Sequence, residues 1–223
     1  LYQATGKKEY ENTAREIFTY VLRDLTDEQG GFYCAEDADS EEMEGKFYLW
    51  KEEEIRNILT KEEADLFLSL YRQTDDASLP GMQEIPAGHF IPHLKLSTGT
   101  KQKETETLPG INDIREKLFA VREKRIHPHK DDKILTDWNG LMIAALARGA
   151  QVFDDPDYAK AALRAMDFII QSMQTKDGRL LHRYRSGHAA IQGNVDDYAF
   201  VVWALLELYE ATFQTEHVHK ALE

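Results

Sequence analysis

Three carboxylates lie within four positions of this 223-residue chain, in the aromatic-flanked stretch GGFYCAEDADSEEMEGKFYLW. Glu36, Asp37 and Asp39 repel one another, so one of them can hold a proton and serve as a general acid. A calcium loop of the EF-hand kind is excluded, because Glu42 stands where its glycine belongs and Tyr48 where its bidentate glutamate belongs. Two alternatives remain: a solvated turn, or a packed site in which Asp37 and Asp39 are catalytic and Glu36 binds substrate.

A second cluster is HPHKDD at 127–132, which holds two imidazoles and two carboxylates. Pro128 separates the histidines, and adjacent side chains in so tight a loop do not converge on one ion without a distant ligand. No metal is therefore predicted here. His127 is instead a candidate catalytic acid or base, and His129 is a candidate for the same proton transfer or for orienting a sugar hydroxyl.

A third group stands immediately before the two most apolar helical segments, LMIAALA and FVVWALLEL. Its members are Asp137, Trp138 and Asn139 before the first segment, and Asp196, Asp197 and Tyr198 before the second. Aromatic faces beside carboxylates suit a sugar ring, whose C–H face stacks on the aromatic while its hydroxyls bond acids and amides. We therefore predict Asp137 and Asp197 as catalytic acids and the other four as substrate-binding residues.

Helix capping is the alternative role for these acids, with Thr136 or Asp137 and Asp196 as the N-cap residues. Capping alone leaves the neighbouring Trp138 and Tyr198 unexplained. The stretch HRYRSGH at 182–188 lies between the two halves of the third group and predicts a polar rim.

Charge and composition limit the classes of partner. Forty acidic against 27 basic residues give a formal net charge of −13, which repels nucleic acid and anionic membrane surfaces and favours a neutral or cationic small ligand. No apolar run approaches the roughly 18 residues that span a bilayer. The single cysteine, Cys34, excludes an intrachain disulfide and suits the cytoplasm. The start at Leu1 and the helical pattern at the other end suggest a piece of a longer protein.

Hydrophobic periodicity predicts a mainly all-α fold. Helices are expected over 10–25, 62–71, 111–125, 139–153, 157–174 and 197–212, with further starts near Lys51 and Glu216 and a capping role for Thr60. A short strand is expected in EGKFYLW. Four prolines and scattered glycines between 74 and 110 predict a loop-rich insertion within one domain, 1–223.

An internal repeat indicates how the helices are arranged. A shift of 59 in residue number relates Asp137 to Asp196 and Leu146 to Leu205, and a longer shift of 148 relates Tyr10 to Tyr158. Each repeat has two helices, the first apolar almost all round and the second more polar. We expect stacked hairpins whose first helices form a buried inner layer, either as an open solenoid or as a closed ring around a pocket.

The stretches at 30–50, 127–147 and 196–212 resemble the helical part of the spermatogenesis-associated protein 20 type. That resemblance runs from about residue 10 to the end. It implies an (α/α)6 toroid of six hairpins, incomplete in 223 residues, similar to N-acylglucosamine 2-epimerases and to several glycoside hydrolases. It also implies a thioredoxin-like domain elsewhere in the full-length chain.

The function expected from these observations is action on a carbohydrate in a central acidic and aromatic pocket, without cofactor or metal. Hydrolysis would use two of the predicted acids on either side of the glycosidic bond, whereas epimerisation would use His127 or His129 to take a proton next to a carbonyl. The residues leave this choice open. The alternative is a non-catalytic scaffold whose acids cap helices and whose concave surface binds a peptide or partner domain.

Overall fold

The computed structural model of the protein describes residues 1–72, 85–94 and 108–223. The chain divides into two compact units: Leu1–Ala35 with Lys130–Glu223, and Glu36–His129. Most of the insertion predicted at 74–110 lies outside the described residues, and the assignment of 1–223 to one domain stays a prediction.

The described residues form the following helices: α1 Tyr2–Thr5, α2 Lys8–Asp24, α3 Glu52–Ile58, α4 Lys61–Leu70, α5 Ile111–Arg122, α6 Thr136–Phe153, α7 Pro156–Ser172, α8 Val195–Thr212 and α9 Thr215–Leu222. The strands are β1 Tyr33–Glu36, β2 Asp39–Ser40, β3 Met43–Glu44, β4 Trp50–Lys51, β5 Tyr71–Arg72, β6 His89–Phe90, β7 His93–Leu94, β8 Lys130–Leu135, β9 Leu181–Arg185 and β10 His188–Gln192. The prediction of a mainly α-helical fold is confirmed.

The sequence repeat is a structural repeat. The shorter shift superimposes both ends of α6 on those of α8, and the start of α7 on that of α9. Both α6 and α8 are followed by a left-handed residue, Asp154 (φ 51°) and Phe213 (φ 57°). The longer shift superimposes both ends of α2 on those of α7, and each is followed by an isolated bridge, Thr26 with Phe32 and Gln174 with Leu180. Repeated hairpins are the unit of an (α/α)n toroid; the ring of six stays a prediction.

Helices α6 and α8, each the first helix of its repeat, run parallel to one another. The backbone N–H of Asp137 lies 2.9 Å from Asp197 Oδ1 near their starts, and Arg148 Nη1 lies 3.3 Å from Glu207 Oε2 farther along. Contacts at both points require the same direction. Gly140 allows the close approach, since a Cβ there would lie 2.7 Å from the carbonyl carbon of Phe200.

The core of the first unit lies where α6 and α8 meet the amphipathic helix α7. Ile143, Leu146, Leu205 and Leu208 are fully or almost fully buried, with Met166 of α7 packed into the same cluster. Burial of large aliphatic side chains at this density is the main stabilising contribution to the unit.

The expectation that the first helices are buried on every side is wrong for both, because α6 exposes Trp138 and Leu141 and α8 exposes a further group of apolar side chains. Val202, Trp203 and Leu206 remain 37%, 48% and 44% exposed. Along the described residues, no helix combines the length and apolarity that a membrane crossing needs.

A four-stranded sheet of order β1-β8-β9-β10 leads the chain into these helices. Strand β8 pairs antiparallel with β9, placing Ile134 opposite Tyr184, and β9 pairs antiparallel with β10. Strand β8 ends at Leu135, where α6 follows directly, and β10 ends shortly before α8 begins. The sheet therefore fixes where both helices start.

The second unit holds α3, α4 and α5 around a separate core that includes Trp50, Ile55 and Phe67. Thr60 forms the predicted N-cap of α4, in a capping box with Glu63. The strand expected in EGKFYLW is mostly a 3₁₀ turn, Lys46–Tyr48, followed by the two-residue β4.

Candidate functional site

The site is built around Asp197, a fully buried carboxylate in the first turn of α8. Its Oδ1 accepts from the backbone N–H of Asp137 at 2.9 Å, and its Oδ2 accepts from the backbone N–H of Asn194 at 2.6 Å. The starts of α6 and α8 thus both point at this carboxylate. Helix starts carry partial positive charge and unpaired N–H groups, so they stabilise a buried anion there.

His182 of β9 completes the coordination of that carboxylate. Its Nδ1 lies 3.0 and 3.1 Å from the two oxygens of Asp197. An ionised carboxylate only accepts hydrogen bonds, so Nδ1 donates to Asp197, and in the neutral imidazole this leaves the lone pair on Nε2. The side chain of His182 is 22% exposed, in contrast to that of Asp197 at 0%. Asp197 thus orients a histidine that can reach solvent or a ligand.

Asp137 supplies a second carboxylate beside this pair. Ligand atoms of Asp137, His182 and Asp197 all lie within 4.8 Å of one another. Such a trio has the donor types of a metal site. With a proton on Nδ1 of His182, the same atoms form a group suited to proton transfer.

The predicted capping roles are wrong in detail. The N-cap positions are Leu135 for α6 and Asn194 for α8. Asp137 Oδ1 instead accepts from the backbone N–H of Trp138 at 2.8 Å, and Asp196 is exposed at the start of α8.

Asn139 and Tyr198 are equivalent at the shorter shift. In each repeat the side chain at this position bonds backbone groups. Asn139 is 1% exposed; its Oδ1 accepts from Phe32 N–H at 2.7 Å, and its Nδ2 donates to the carbonyls of Phe32 and Leu135 at 3.0 and 2.8 Å. Tyr198 accepts at its hydroxyl from the N–H of Leu180, 3.1 Å away, and Leu180 is the equivalent of Phe32 at the longer shift. The backbone of Phe32 and Leu135 occupies the side-chain amide of Asn139, and the substrate-binding role of Asn139 stays a prediction.

Aromatic surface remains available at the helix starts. Trp138 is 52% exposed, and Tyr198 is 41% exposed although its hydroxyl is bonded. Both rings stand next to acids, as the sequence predicts, and Trp138 directly follows Asp137.

The other predicted residues, Glu36, Asp37, Asp39, His127 and His129, belong to the second unit. There Asp37 donates its N–H to the carbonyl of His129 at 2.7 Å and accepts at Oδ1 from Asp39 N–H at 3.1 Å. The ring of His127 packs on Phe47, with centroids 4.7 Å apart. The acidic loop is thus in contact with the loop that carries His127 and His129. Glu36 is the last residue of β1.

Sequence reasoning missed His182, which it placed on a polar rim. The signal that could have found it is the repeat, because the longer shift makes His182 the equivalent of Cys34, and each is the second residue of its strand, β9 and β1.

Burial, with a smaller effect of the Asp131 charge, raises the pKa of the Cys34 thiol. Burial and the hydrogen bond to Asp27 raise the pKa of Tyr33 to about 12.

The chain is similar to spermatogenesis-associated protein 20 of Homo sapiens, with 30% identity over 99% of this chain and 32% of that protein. It is similar at 29% identity to an uncharacterized protein of Caenorhabditis elegans, over 93% of this chain and 32% of the relative. The resemblance predicted from the motifs is confirmed. The chain spans about a third of the length of these relatives.

No protein-family model matches the chain. Among solved structures, the GH76 alpha-mannanase of Bacteroides thetaiotaomicron is similar over 55% of this chain and 37% of that one, with 16% identity and a TM-score of 0.39. A similarity of this size has no bearing on function.

Proposed function

We propose that the first unit acts on a carbohydrate, with His182 as the group that transfers a proton. The observation that carries this proposal is the bond from His182 Nδ1 to the buried Asp197, with ligand atoms of a second carboxylate, Asp137, within 4.8 Å. A histidine oriented by one carboxylate and flanked by another can move a proton on a polyhydroxyl ligand. The half-exposed ring of Trp138, which follows Asp137 in the sequence, is a candidate stacking surface.

The chemistry best suited to this geometry is proton abstraction next to a sugar carbonyl. The C–H bond breaks, its electron pair forms the C=C bond of an enolate, and the proton moves to Nε2 of His182. Return of the proton from His182 to the same face restores the starting sugar, whereas delivery of a proton to the opposite face by water or a second acid restores the carbonyl and inverts the centre. Asp197 stabilises the imidazolium that forms in between, while Asp137 can bond a substrate hydroxyl.

Glycoside hydrolysis is favoured less by the same contacts. It needs two carboxylates that reach opposite sides of the glycosidic bond. Asp197 is fully buried and already accepts three hydrogen bonds, so it serves as a positioning residue.

The test is solvent-proton exchange. Aldoses, ketoses and N-acyl hexosamines are incubated with the protein in D₂O, and NMR follows the loss of the proton signal next to the carbonyl, which is at C2 in aldoses and N-acyl hexosamines and at C1 or C3 in ketoses. We expect exchange with at least one sugar, a loss of about 100-fold or more in His182→Gln, and little change in the matched control His188→Gln on the neighbouring strand. Exchange that survives His182→Gln, or no exchange and no sugar-induced thermal shift with any sugar, refutes the proposal.

A non-catalytic scaffold is the second candidate, and the exposed apolar face of α8 supports it. It predicts that no sugar binds and that Asp197→Asn changes stability alone. A cytoplasmic location and a thioredoxin-like domain in the same polypeptide remain proposals under either candidate.

A further inference from the structure

Two carboxylates and one imidazole, those of Asp137, Asp197 and His182, form a group with the composition of a cation site. One ligand atom from each lies within 4.8 Å of the other two. Atoms bound to one transition-metal ion at about 2.1 Å are at most about 4.2 Å apart, so an approach of about 0.6 Å brings all three within reach of a common ion. Within residues 1–72, 85–94 and 108–223, this is the one group of three or more acids, histidines or cysteines whose ligand atoms lie so close together.

The spacing of His182 and Asp197 indicates the geometry that such an ion would have. Nδ1 of His182 lies 3.0 and 3.1 Å from the two oxygens of Asp197. An ion held at about 2.1 Å by Nδ1 and by one of these oxygens has an angle of about 90–95° between the two bonds, which is typical of an octahedral ion rather than a tetrahedral one. Three protein ligands on an octahedral ion leave the remaining positions to water or to a ligand.

The charge of the group also favours a cation. Asp197 is fully buried, and the hydrogen bond that the Asp137 carboxylate accepts comes from the backbone N–H of Trp138. In the part of the chain that the structure describes, no lysine or arginine forms an ion pair with either acid. With a neutral imidazole the group has a formal charge of −2, and the two helix starts offset it by roughly half a charge each. A divalent ion would balance what remains.

We infer that Asp137, His182 and Asp197 bind one divalent transition-metal ion. The imidazole nitrogen favours Zn²⁺ and its first-row neighbours over Mg²⁺ and Ca²⁺, which prefer oxygen ligands. The ion binds Nδ1 of His182, and the proton of the neutral imidazole moves to Nε2. The ion therefore competes with the proposed proton transfer, because the lone pair on Nε2 is lost. Metal binding itself does not depend on the proposed function.

The test is calorimetric titration of the metal-free 223-residue chain with ZnCl₂ and, separately, with MgCl₂. We expect a single tight Zn²⁺ site whose affinity falls about 100-fold or more in His182→Gln and in Asp137→Asn, each first shown by circular dichroism to be folded. Two matched controls should keep the site. His188→Gln removes an exposed imidazole of the neighbouring strand β10, and Asp157→Asn removes an exposed carboxylate at the position in α7 that Asp137 has in α6.

A second measurement, on the unmutated chain, identifies the nitrogen that binds the ion. In protein labelled with ¹⁵N at histidine, the ring signals of His182 are those missing from His182→Gln, and Zn²⁺ should convert them from the Nδ1–H form to the Nε2–H form. A His182 ring that is unchanged at saturating Zn²⁺ overturns the inference. So does the lack of a tight site, equal Zn²⁺ affinity in the parent and both site variants, or Mg²⁺ bound as tightly as Zn²⁺. Proton exchange in metal-free protein tests the proposed function separately.

Discussion

Replacement of Gly140 by alanine should destabilise the protein, although Gly-to-Ala in a helix ordinarily stabilises it by about 1 kcal/mol. The added Cβ would lie 2.7 Å from the carbonyl carbon and 2.9 Å from the oxygen of Phe200, against 3.4–4 Å for ordinary contact. These are backbone atoms, so the clash is relieved when the whole of α8 moves away from α6.

The expected magnitude combines three effects. Overpacking of this kind costs about 1–3 kcal/mol, and stretching the bond from Asp137 N–H to Asp197 costs up to about 1.5 kcal/mol more. Helix propensity returns about 1 kcal/mol. At the middle of these ranges the net loss in free energy of unfolding is about 2 kcal/mol, measured as a lower urea midpoint by circular dichroism.

The repeat offers the matched control. Ala199 occupies the position of Gly140 on α8 and is exposed. Ala199→Gly should cost about 1 kcal/mol from helix propensity alone. A Gly140→Ala protein as stable as the parent, with an unchanged m-value, would show that α6 and α8 are not this close and would refute the geometry of the site.

Three further outcomes are expected. Asp197→Asn should lower the free energy of unfolding by about 2–4 kcal/mol in urea titration, since an amide cannot accept from all three donors, whereas the exposed Asp196→Asn should stay within about 0.5 kcal/mol. The pKa of Tyr33 is raised to about 12. The contribution of this hydroxyl group to stability is therefore complete below the unfolded pKa of about 10 and is lost as pH rises through about 12. Tyr33→Phe should flatten the alkaline limb of a stability–pH profile. Since its pKa is also raised, Cys34 should react with a disulfide reagent at neutral pH more slowly than it does in denaturant, and equal rates would contradict its burial.

Much of the architecture could be predicted from local pattern. The two repeat shifts are visible in a few matched residues of the sequence. In the structure the same shifts relate the boundaries of equivalent helices. Periodicity and capping act over one or two turns, so they are visible in sequence. The N-cap residues were misplaced by one or two positions, because Leu135 precedes α6 and Asn194 caps α8 in a capping box with Asp197.

The site could be predicted only in part. Asp137, Asp197 and Trp138 were chosen because acid and aromatic residues alternate at the helix starts. Asn139 looked equally available, yet its amide is occupied by the backbone of Phe32, 107 positions away in sequence. His182 carried no local signal, because its partner Asp197 lies 15 positions away, beyond β10 and at the start of α8.

The sequence by itself determined the helical hairpins, their repeat length and the acidic, aromatic character of the helix starts, because each depends on residues close together in the chain. The tertiary structure decided which of those acids is exposed and which is buried. Asp197 became a buried anion bonded to His182 because two helix starts and one strand converge there. The bond from Asn194 belongs to a capping box within one helical turn, but the bonds from His182 and Asp137 join residues 15 and 60 positions apart, which no short-range pattern encodes.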